Sequence, residues 1–585
     1  MGTRFPGSDL DLPGEIVHAV GMYLRTTQRK NKDGTVVRYV QLAHNRRVGG
    51  TTQAEVLHNF GREDRLDTAG LRRLVASINR YLGEDGADAS APAGGGLEVT
   101  ASLPIGAVWL LEGLWRQLEI DRALAKILGE RRFRTDVERV LFALVANRAI
   151  APASKLSAAE WASRDAAIPG LAAMDEDQAY RAMDLLVEAD AQAEVQEAVF
   201  FAVANLLNLE VDLLFFDTTN TYFERDEPDA GETPFRAYGK SKDHRDDLPQ
   251  ITIGLAVTKE GVPVRCWVWP GGTSDQAILP QVKDDMRDWK LGRVITVVDR
   301  GFSSADNLSY LTRAGGHYIA GMRMRDGNDL AEAALARQGR YQDVRDNLRV
   351  KEVRLDQAPG RRFVICHNPA QAERDRRHRE EALTRIEAEL ERIKAQRDRD
   401  AKRLTSAKAR ERAEAAHVRA ECALIEHPTL KRWLRTSKNG RLAIDRAKVK
   451  AEERLDGKYL LTSSDPHLST EEIAVGYKAL LEAERGFRDL KTVLELRPVF
   501  HRLEHRIRAH VLLCWLALLL IRVAERSTGS TWNRIGSELG RVHEVTLTGE
   551  AGRITQTTPL TAEQAGIYRD CRIKPPPRIT TADPA

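Results

Sequence analysis

Leu213-Leu214-Phe215-Phe216-Asp217-Thr218-Thr219-Asn220-Thr221 and, further on, Val294-Ile295-Thr296-Val297-Val298-Asp299-Arg300-Gly301-Phe302 decide how this chain is read. Each is a continuous apolar run that stops at an aspartate. An unbroken apolar run of this length, with no alternation, reads as a strand buried on both faces of a sheet. Each strand is expected to end at its Asp, which places a carboxylate where loops open to solvent. Read singly, Asp217 and Asp299 fit turn or cap residues as well as they fit metal ligands.

Outward from these two runs, strand-like stretches at 251–257, 264–268 and 317–320 alternate with helical patterns, so 209–321 reads as an α/β core with a mixed sheet. Residues 322–465 read as an insertion, with short strands at 349–355 and 362–366 and a charged helical stretch. In that stretch Leu383, Ile386, Leu390 and Ile393 keep an a/d rhythm. It fits a helical hairpin folding back on 401–425, or an intermolecular coil. A strand at 458–462 closes the insertion. Helices over 471–525 complete the core (466–530), and 531–585 remain as a C-terminal tail region.

Upstream, residues 22–28 and 36–42 flank Asn31-Lys32-Asp33-Gly34 and predict a β-hairpin. Leu71, Leu74, Ile78 and Leu82 predict a short helix, so 1–83 form an N-terminal region. Residues 84–97, rich in Gly, Ala, Asp and Pro, read as a linker. Residues 98–208 read as a helical domain, in which the pattern from about 104 to 208 is helical with no convincing strand. Such a domain suits contact with DNA ends, or plain packing on its neighbours.

A chain of 585 residues exceeds one hydrophobic core, which stops growing near roughly 250–300 residues. Hydrophobic residues at 42% and charged residues at 30% belong to an ordinary globular protein. The net charge of +4, from 89 basic and 85 acidic residues, does not by itself point to nucleic acid. Five scattered cysteines with no CxxC pair argue against a zinc site or a disulfide framework and fit a reducing cytoplasm. The first twenty residues lack the order of a secretory signal. The longest apolar run, Val511 to Ile521, falls short of the ~20 residues that span a bilayer, so it reads as a buried helix and no membrane is expected.

The third acid lies on the helix expected from 471. Tyr477, Glu484, Arg488 and Lys491 share one stripe at helical spacing, beside an apolar stripe of Leu480, Phe487, Leu490 and Leu494. An amphipathic helix with a Glu484–Arg488 pair explains the same pattern. Convergent carboxylates would serve phosphodiester chemistry, because Mg²⁺ prefers hard oxygen ligands and two metal ions neutralise the attacking and leaving oxygens. The loop from Tyr238 to Gln250, with Lys240, Lys242, His244 and Arg245, fits a grip on a DNA backbone or a plain solvated loop. Its Gly239-Lys240-Ser241 is not a P-loop, since the glycine required five residues earlier is Pro234. Arg485 to Arg508 carries seven Arg or Lys against Asp489, Glu495 and Glu504 and is the best local stretch for a DNA-facing surface.

In order, Phe-Phe-Asp217-Thr-Thr-Asn, Val-Val-Asp299-Arg-Gly-Phe, and Tyr477 followed by Glu484 and Lys491 resemble the bacterial insertion-sequence transposases marked by a Tyr-Arg-Glu-Lys signature. The signature's Arg position is Leu480 here, with Arg485 and Arg488 nearby to supply charge. Arg497-Pro498-Val499-Phe500-His501, Arg506 to His510 and the opening Met22-Tyr23-Leu24-Arg25 resemble a long-chained branch of that superfamily. The resemblance implies a ribonuclease-H-like catalytic core interrupted before its last acidic helix. It implies Asp217, Asp299 and Glu484 as ligands of Mg²⁺, for which Mn²⁺ substitutes, and Tyr477, Arg488 and Lys491 at DNA phosphates. The implied partners are double-stranded DNA, as element ends and target, and a second copy in the DNA complex. A nuclease of the same fold that does not join strands, and a DNA-binding relic without catalysis, remain the alternatives.

Overall fold

A computed structural model describes residues 22–30, 36–48, 51–81, 97–129, 136–188, 191–207, 212–287, 289, 294–325 and 327–584. The expected hairpin turn at Asn31–Gly34, Leu82 and the linker up to Gly96 lie outside them. The described residues fall into two units, one up to Leu185 together with Val523 onward, the other Leu186–Arg522.

The first unit opens with an antiparallel sheet in the order β1 (Met22–Lys30), β2 (Val36–Val48), β3 (Thr51–Arg62). The expected hairpin thus has a third strand. After α1 (Thr68–Tyr81) come β4 (Glu98–Pro104) and the helices α2 (Gly106–Gln117), α3 (Ile120–Leu128), α4 (Val137–Ile150), α5 (Lys155–Arg164) and α6 (Glu176–Glu188). Trp115 and Phe142 meet edge to face inside this bundle, 5.5 Å between centroids. The buried Arg139 is satisfied by Glu112 at 2.6 Å and by Glu138, as a buried charge must be.

The second unit begins with α7 (Ala191–Leu207) and continues through β5 (Leu213–Tyr222), β6 (Gln250–Thr258), β7 (Pro263–Pro270), α8 (Asp275–Arg287), β8 (Ile295–Val298), α9 (Ala305–Leu311) and β9 (His317–Met322). Then follow α10 (Asp329–Ala336), β10 (Gln342–Arg345), β11 (Leu348–Val353), β12 (Arg362–His367), α11 (Pro369–Arg403), α12 (Ala407–Glu426), β13 (Leu434–Thr436), β14 (Leu442–Ile444), α13 (Arg446–Glu453) and β15 (Lys458–Ser463). The helices α14 (Thr470–Lys478), α15 (Leu481–Thr492) and α16 (Glu504–Thr528) complete it.

Nine strands form one mixed sheet in the order β10-β11-β12-β15-β9-β8-β5-β6-β7. β8 runs parallel to both β5 and β9, and the other pairings are antiparallel. Four strands of the expected insertion therefore extend the main sheet. Its charged helices α11 and α12 form an intramolecular hairpin, since Ile386, Ile393 and Leu424 share a core with Trp433 and Val449 while Arg397 bonds Glu414 and Glu421 across the pair.

One face of the sheet is an apolar layer in which Phe216, Trp267 and Trp269 pack against Ile278, Leu279 and Val282 of α8, Leu308 and Leu311 of α9, and Phe200 of α7. Phe216 meets Trp267 edge to face at 5.7 Å, and the two tryptophans stack at 6.2 Å. Truncating such a side chain, as in Phe216→Ala, is expected to destabilise the unit by about 3–5 kcal/mol. α16 is long and apolar enough to cross a membrane. Its residues from Val511 to Ile521 are all buried inside the protein, as expected of a core helix.

The expected tail is folded. α17 (Trp532–Leu539), β16 (His543–Gly549), β17 (Gly552–Thr557), α18 (Ala562–Asp570) and β18 (Ile579–Pro584) belong to the first unit. They build a sheet in the order β18-β17-β16-β4. This corrects the assignment of 98–208 to a helical domain at its first residues, where β4 lies. Glu98-Val99-Thr100-Ala101-Ser102 carries no apolar run and becomes a strand only through its antiparallel partner β16. Tyr568 donates a hydrogen bond to the Gly106 carbonyl at 2.9 Å, and Trp532 Nε1 to that of Ala149 at 2.8 Å.

Candidate active site

Asp217 does not end its strand, contrary to the sequence reading. β5 continues to Tyr222 because β6 pairs with it from Leu214 to Tyr222, whereas β8 pairs only with Leu213–Phe216. The last parallel pair is Phe216 with Val298. Asp217 and Asp299 are the next residues on two neighbouring strands, whose spacing is about 4.8 Å.

Alternation along β5 puts Leu213, Phe215 and Asp217 on one face and Phe216 on the other. The Asp217 face is covered by α14 and α15. A Cβ on Gly476 of α14 would lie 3.3 Å from Leu213 and Ile319, and one on Gly486 of α15 would lie 2.8 Å from Leu255, the cross-strand partner of Asp217. Gly486 therefore allows α15 its close approach, two residues from Glu484.

The continuous helix expected from 471 is instead two helices. Leu480 N bonds Tyr477 O and Ala483 N bonds Leu480 O, three-residue steps that break the helical ladder at Ala479 and Leu480. Tyr477 thus lies in the last turn of α14 and Glu484 in the first turn of α15, on two helices rather than one, and both still face one cleft. Tyr477 Oη donates a 2.8 Å hydrogen bond to Asp299 Oδ1. Gly321 makes room for the phenol, since a Cβ there would stand 2.3 Å from Tyr477 Oη. Asp299 precedes a short 3-10 turn but its side chain caps nothing.

Lys242 Nζ lies 3.2 Å from Asp217 Oδ1, 2.5 Å from the Thr218 carbonyl and 3.0 Å from Thr218 Oγ1. Burial raises the Asp217 carboxyl above its ordinary range, with Lys242 pulling it back and the charge of Asp299 pushing it further. The Glu484 carboxyl is raised by burial on one side and then by the charges of Asp217 and Asp299, against Lys242. The three acids therefore share one electrostatic field. Burial raises the Tyr477 phenol, and its bonded neighbour Asp299 adds to that, so it remains a hydrogen-bond donor at all ordinary pH.

Asp299, Tyr477 and Glu484 line a cleft of about 880 Å³ together with Lys240, Arg300 and Arg323; Asp217 is not among its lining residues. Lys491 faces elsewhere than the stripe implied. Its ammonium is held by Asp243 at 3.0 and 3.1 Å, and burial lowers its pKa. Asp243 also accepts from Arg497 Nη1 at 2.8 Å. Arg245 pairs with Asp247 at 2.8 and 2.9 Å and lies over the Tyr222 ring. Arg488 is exposed, 3.9 Å from Asp489, so the Glu484–Arg488 pair does not form. Sequence reasoning missed Asp243 and Gly321. The one available signal for Asp243 was an acid amid Lys242, His244 and Arg245.

Asp217 and Asp299 thus follow the last parallel pair of β5 and β8, with Glu484 on a helix that covers the same face. The family model for the transposase DDE domain matches residues 214–520, just over half of the chain, so this chain belongs to the DDE transposase family. It is a transposase, acting in DNA transposition. Residues 24–91 match the N-terminal domain of the IS1634 family transposases, which places it among insertion-sequence transposases. No curated protein matches it. Among solved structures, the cryo-electron microscopy structure of the piggyBac transposase synaptic complex with hairpin DNA is similar at a TM-score of 0.34 and 10% identity, over 74% of this chain and 79% of that one. A likeness that low carries no argument about this site.

Proposed function

We propose that this transposase is of the Tyr-Arg-Glu-Lys type, with a ribonuclease-H-like core. It binds the ends of its insertion sequence in double-stranded DNA, hydrolyses a strand to release a 3′ hydroxyl, and directs that hydroxyl at target DNA. The observation that carries this reading is the meeting of Asp217 and Asp299 on adjacent parallel strands, with Glu484 in the same field.

In this reading Asp217, Asp299 and Glu484 hold Mg²⁺, with Mn²⁺ able to substitute. The donor chemistry fits, being all hard oxygen, and a cation, the Lys242 ammonium, already stands against Asp217. Among the described residues no three acids, imidazoles or thiols are drawn tightly enough to hold an ion as they stand. In this reading a metal ion at Asp217 would take the place of the Lys242 ammonium. When bound, the metal supplies the positive charge that developing oxyanions need.

The chain's own groups do the rest. Tyr477 turns its hydroxyl from Asp299 to a phosphate oxygen, and Lys242, Lys240 and Arg245 grip the backbone beside it. Arg488 adds exposed charge along α15, while Lys491 holds Asp243 and, through it, Arg497 in place. Two copies act together, because two element ends must be held at once.

The test is incubation with labelled element ends and a target plasmid in Mg²⁺. Cleaved ends and joined product are expected, both abolished by Asp217→Asn or Glu484→Gln. Cut ends without joined product would indicate a nuclease instead, and activity surviving both substitutions would contradict the metal site.

A further inference from the structure

A second groove, of about 1000 Å³, opens where the end of β5 meets the segment between α15 and α16. It is lined by Tyr222, Arg225, Arg236, Arg497, Phe500 and Arg502, among others. Phe500 is 72% exposed, more than any other large apolar side chain among the described residues.

The segment that carries this ring is pinned on both sides, so its exposure is not fraying. Leu496 is fully buried and its N–H bonds the Leu490 carbonyl at 2.8 Å. Arg497 bonds Asp243, and His501 is buried with its ring 5.3 Å from that of His510. The fold thus holds an aromatic face toward water where it contributes nothing to the core.

The surroundings are cationic and planar. The Arg497 and Arg245 guanidinium carbons lie 5.3 and 5.2 Å from the Tyr222 ring centroid. Arg225 and Arg236 share the single carboxylate of Asp229. An open ring among arginines is the chemistry that stacks a base and holds its phosphate. Duplex DNA hides its base faces between stacked pairs, so an open ring is best matched by an unpaired nucleotide, whose base face is free. The groove is tied to the acidic site: Asp243 joins Arg497 to Lys491, and the adjacent Lys242 bonds Asp217. Tyr222 lies five residues along the strand from Asp217, about 17 Å at strand rise.

We propose that this groove binds an unpaired nucleotide of the DNA substrate, its base stacked on Phe500 and its phosphate held by Arg497 and Arg502. The proposal rests on the DNA-processing reading above, and it adds that the bound DNA is single-stranded a short distance from the reacting phosphate.

The test uses the full chain without metal, so that no cutting intervenes. The probes are a blunt duplex and the same duplex with a short single-stranded overhang containing 2-aminopurine. The wild type should bind the overhang form more tightly and quench its fluorescence. Phe500→Ala should weaken overhang binding about 5- to 100-fold, the range that aromatic–base stacking represents, with blunt-duplex binding unchanged and quenching lost. Phe500→Trp should restore both. Equal weakening of both probes, or of neither, would overturn the stacking site. Wild-type protein that binds neither probe would instead overturn the DNA-processing reading on which it rests. An unchanged melting temperature for Phe500→Ala confirms that the exposed ring is not structural.

Discussion

The ammonium of Lys242 stands 3.2 Å from the carboxylate of Asp217 and 2.5 Å from the carbonyl of the following residue, Thr218. A cation is thus already placed at the acid that leads the site, and its charge also reaches Glu484. A divalent ion must compete with it. Lys242→Met should therefore tighten Mn²⁺ binding severalfold while weakening DNA binding. Calorimetric titration with Mn²⁺ checks this, and unchanged or weaker metal binding would show that Lys242 does not occupy the ion's place.

The raised carboxyls of Asp217 and Glu484 fix the sign of a pH effect. Their folded pKa values lie above the unfolded ones, so between the two the folded state binds more protons. Their contribution to stability is fullest below the unfolded carboxylate range, near pH 4, and is lost as pH rises through the folded values. Without metal, Glu484→Gln should melt above the wild type at pH 8, and the gap should close as pH falls toward 4. Adding Mg²⁺ should raise the wild-type melting temperature more than the variant's. Differential scanning fluorimetry across pH reads both; a gap that widens toward low pH would mean the acids do not repel.

Gly321 and Tyr477 should be coupled. A methyl at 321 would meet the Tyr477 hydroxyl at 2.3 Å, and overpacking of this kind destabilises by about 1–3 kcal/mol. In a Tyr477→Phe background that oxygen is gone, so Gly321→Ala should cost less there. A double-mutant cycle by urea denaturation measures the difference; additive effects would place the phenol elsewhere.

Asp243 neutralises both Lys491 and Arg497, and Lys491 is only 12% exposed. Asp243→Ala leaves those cations unpaired and should destabilise by about 3 kcal/mol, the lower end for stranding a buried charge, because one side of the cluster still meets water. Asp243→Asn should lose less. Equal midpoints for wild type and Asp243→Ala in urea would refute the cluster's structural role.

What the sequence disclosed follows from how local each signal is. The apolar runs before Asp217 and Asp299 are read from a few adjacent residues, and both became strands of one sheet. The end of β5 was misplaced because Thr218, Thr219, Asn220 and Thr221 look like a polar loop, yet they pair with β6 and are buried. The break at Leu480 carries no Gly or Pro, so periodicity ran straight through it. The strand at 98–104 depends on a partner more than four hundred residues away, with no local pattern. Lys242 and Asp243 show the same limit at the site: their charges were visible in the loop, but their partners are chosen by the tertiary fold.

The central claim is that Asp217, Asp299 and Glu484 hold the same metal centre. Anomalous X-ray scattering from Mn²⁺-soaked crystals tests it most directly. Peaks about 2.1 Å from oxygens of both aspartates, with Glu484 on the same ion or its immediate neighbour and Lys242 displaced, are predicted. Peaks elsewhere, or none at these three side chains while Lys242 keeps its bond to Asp217, would contradict the account.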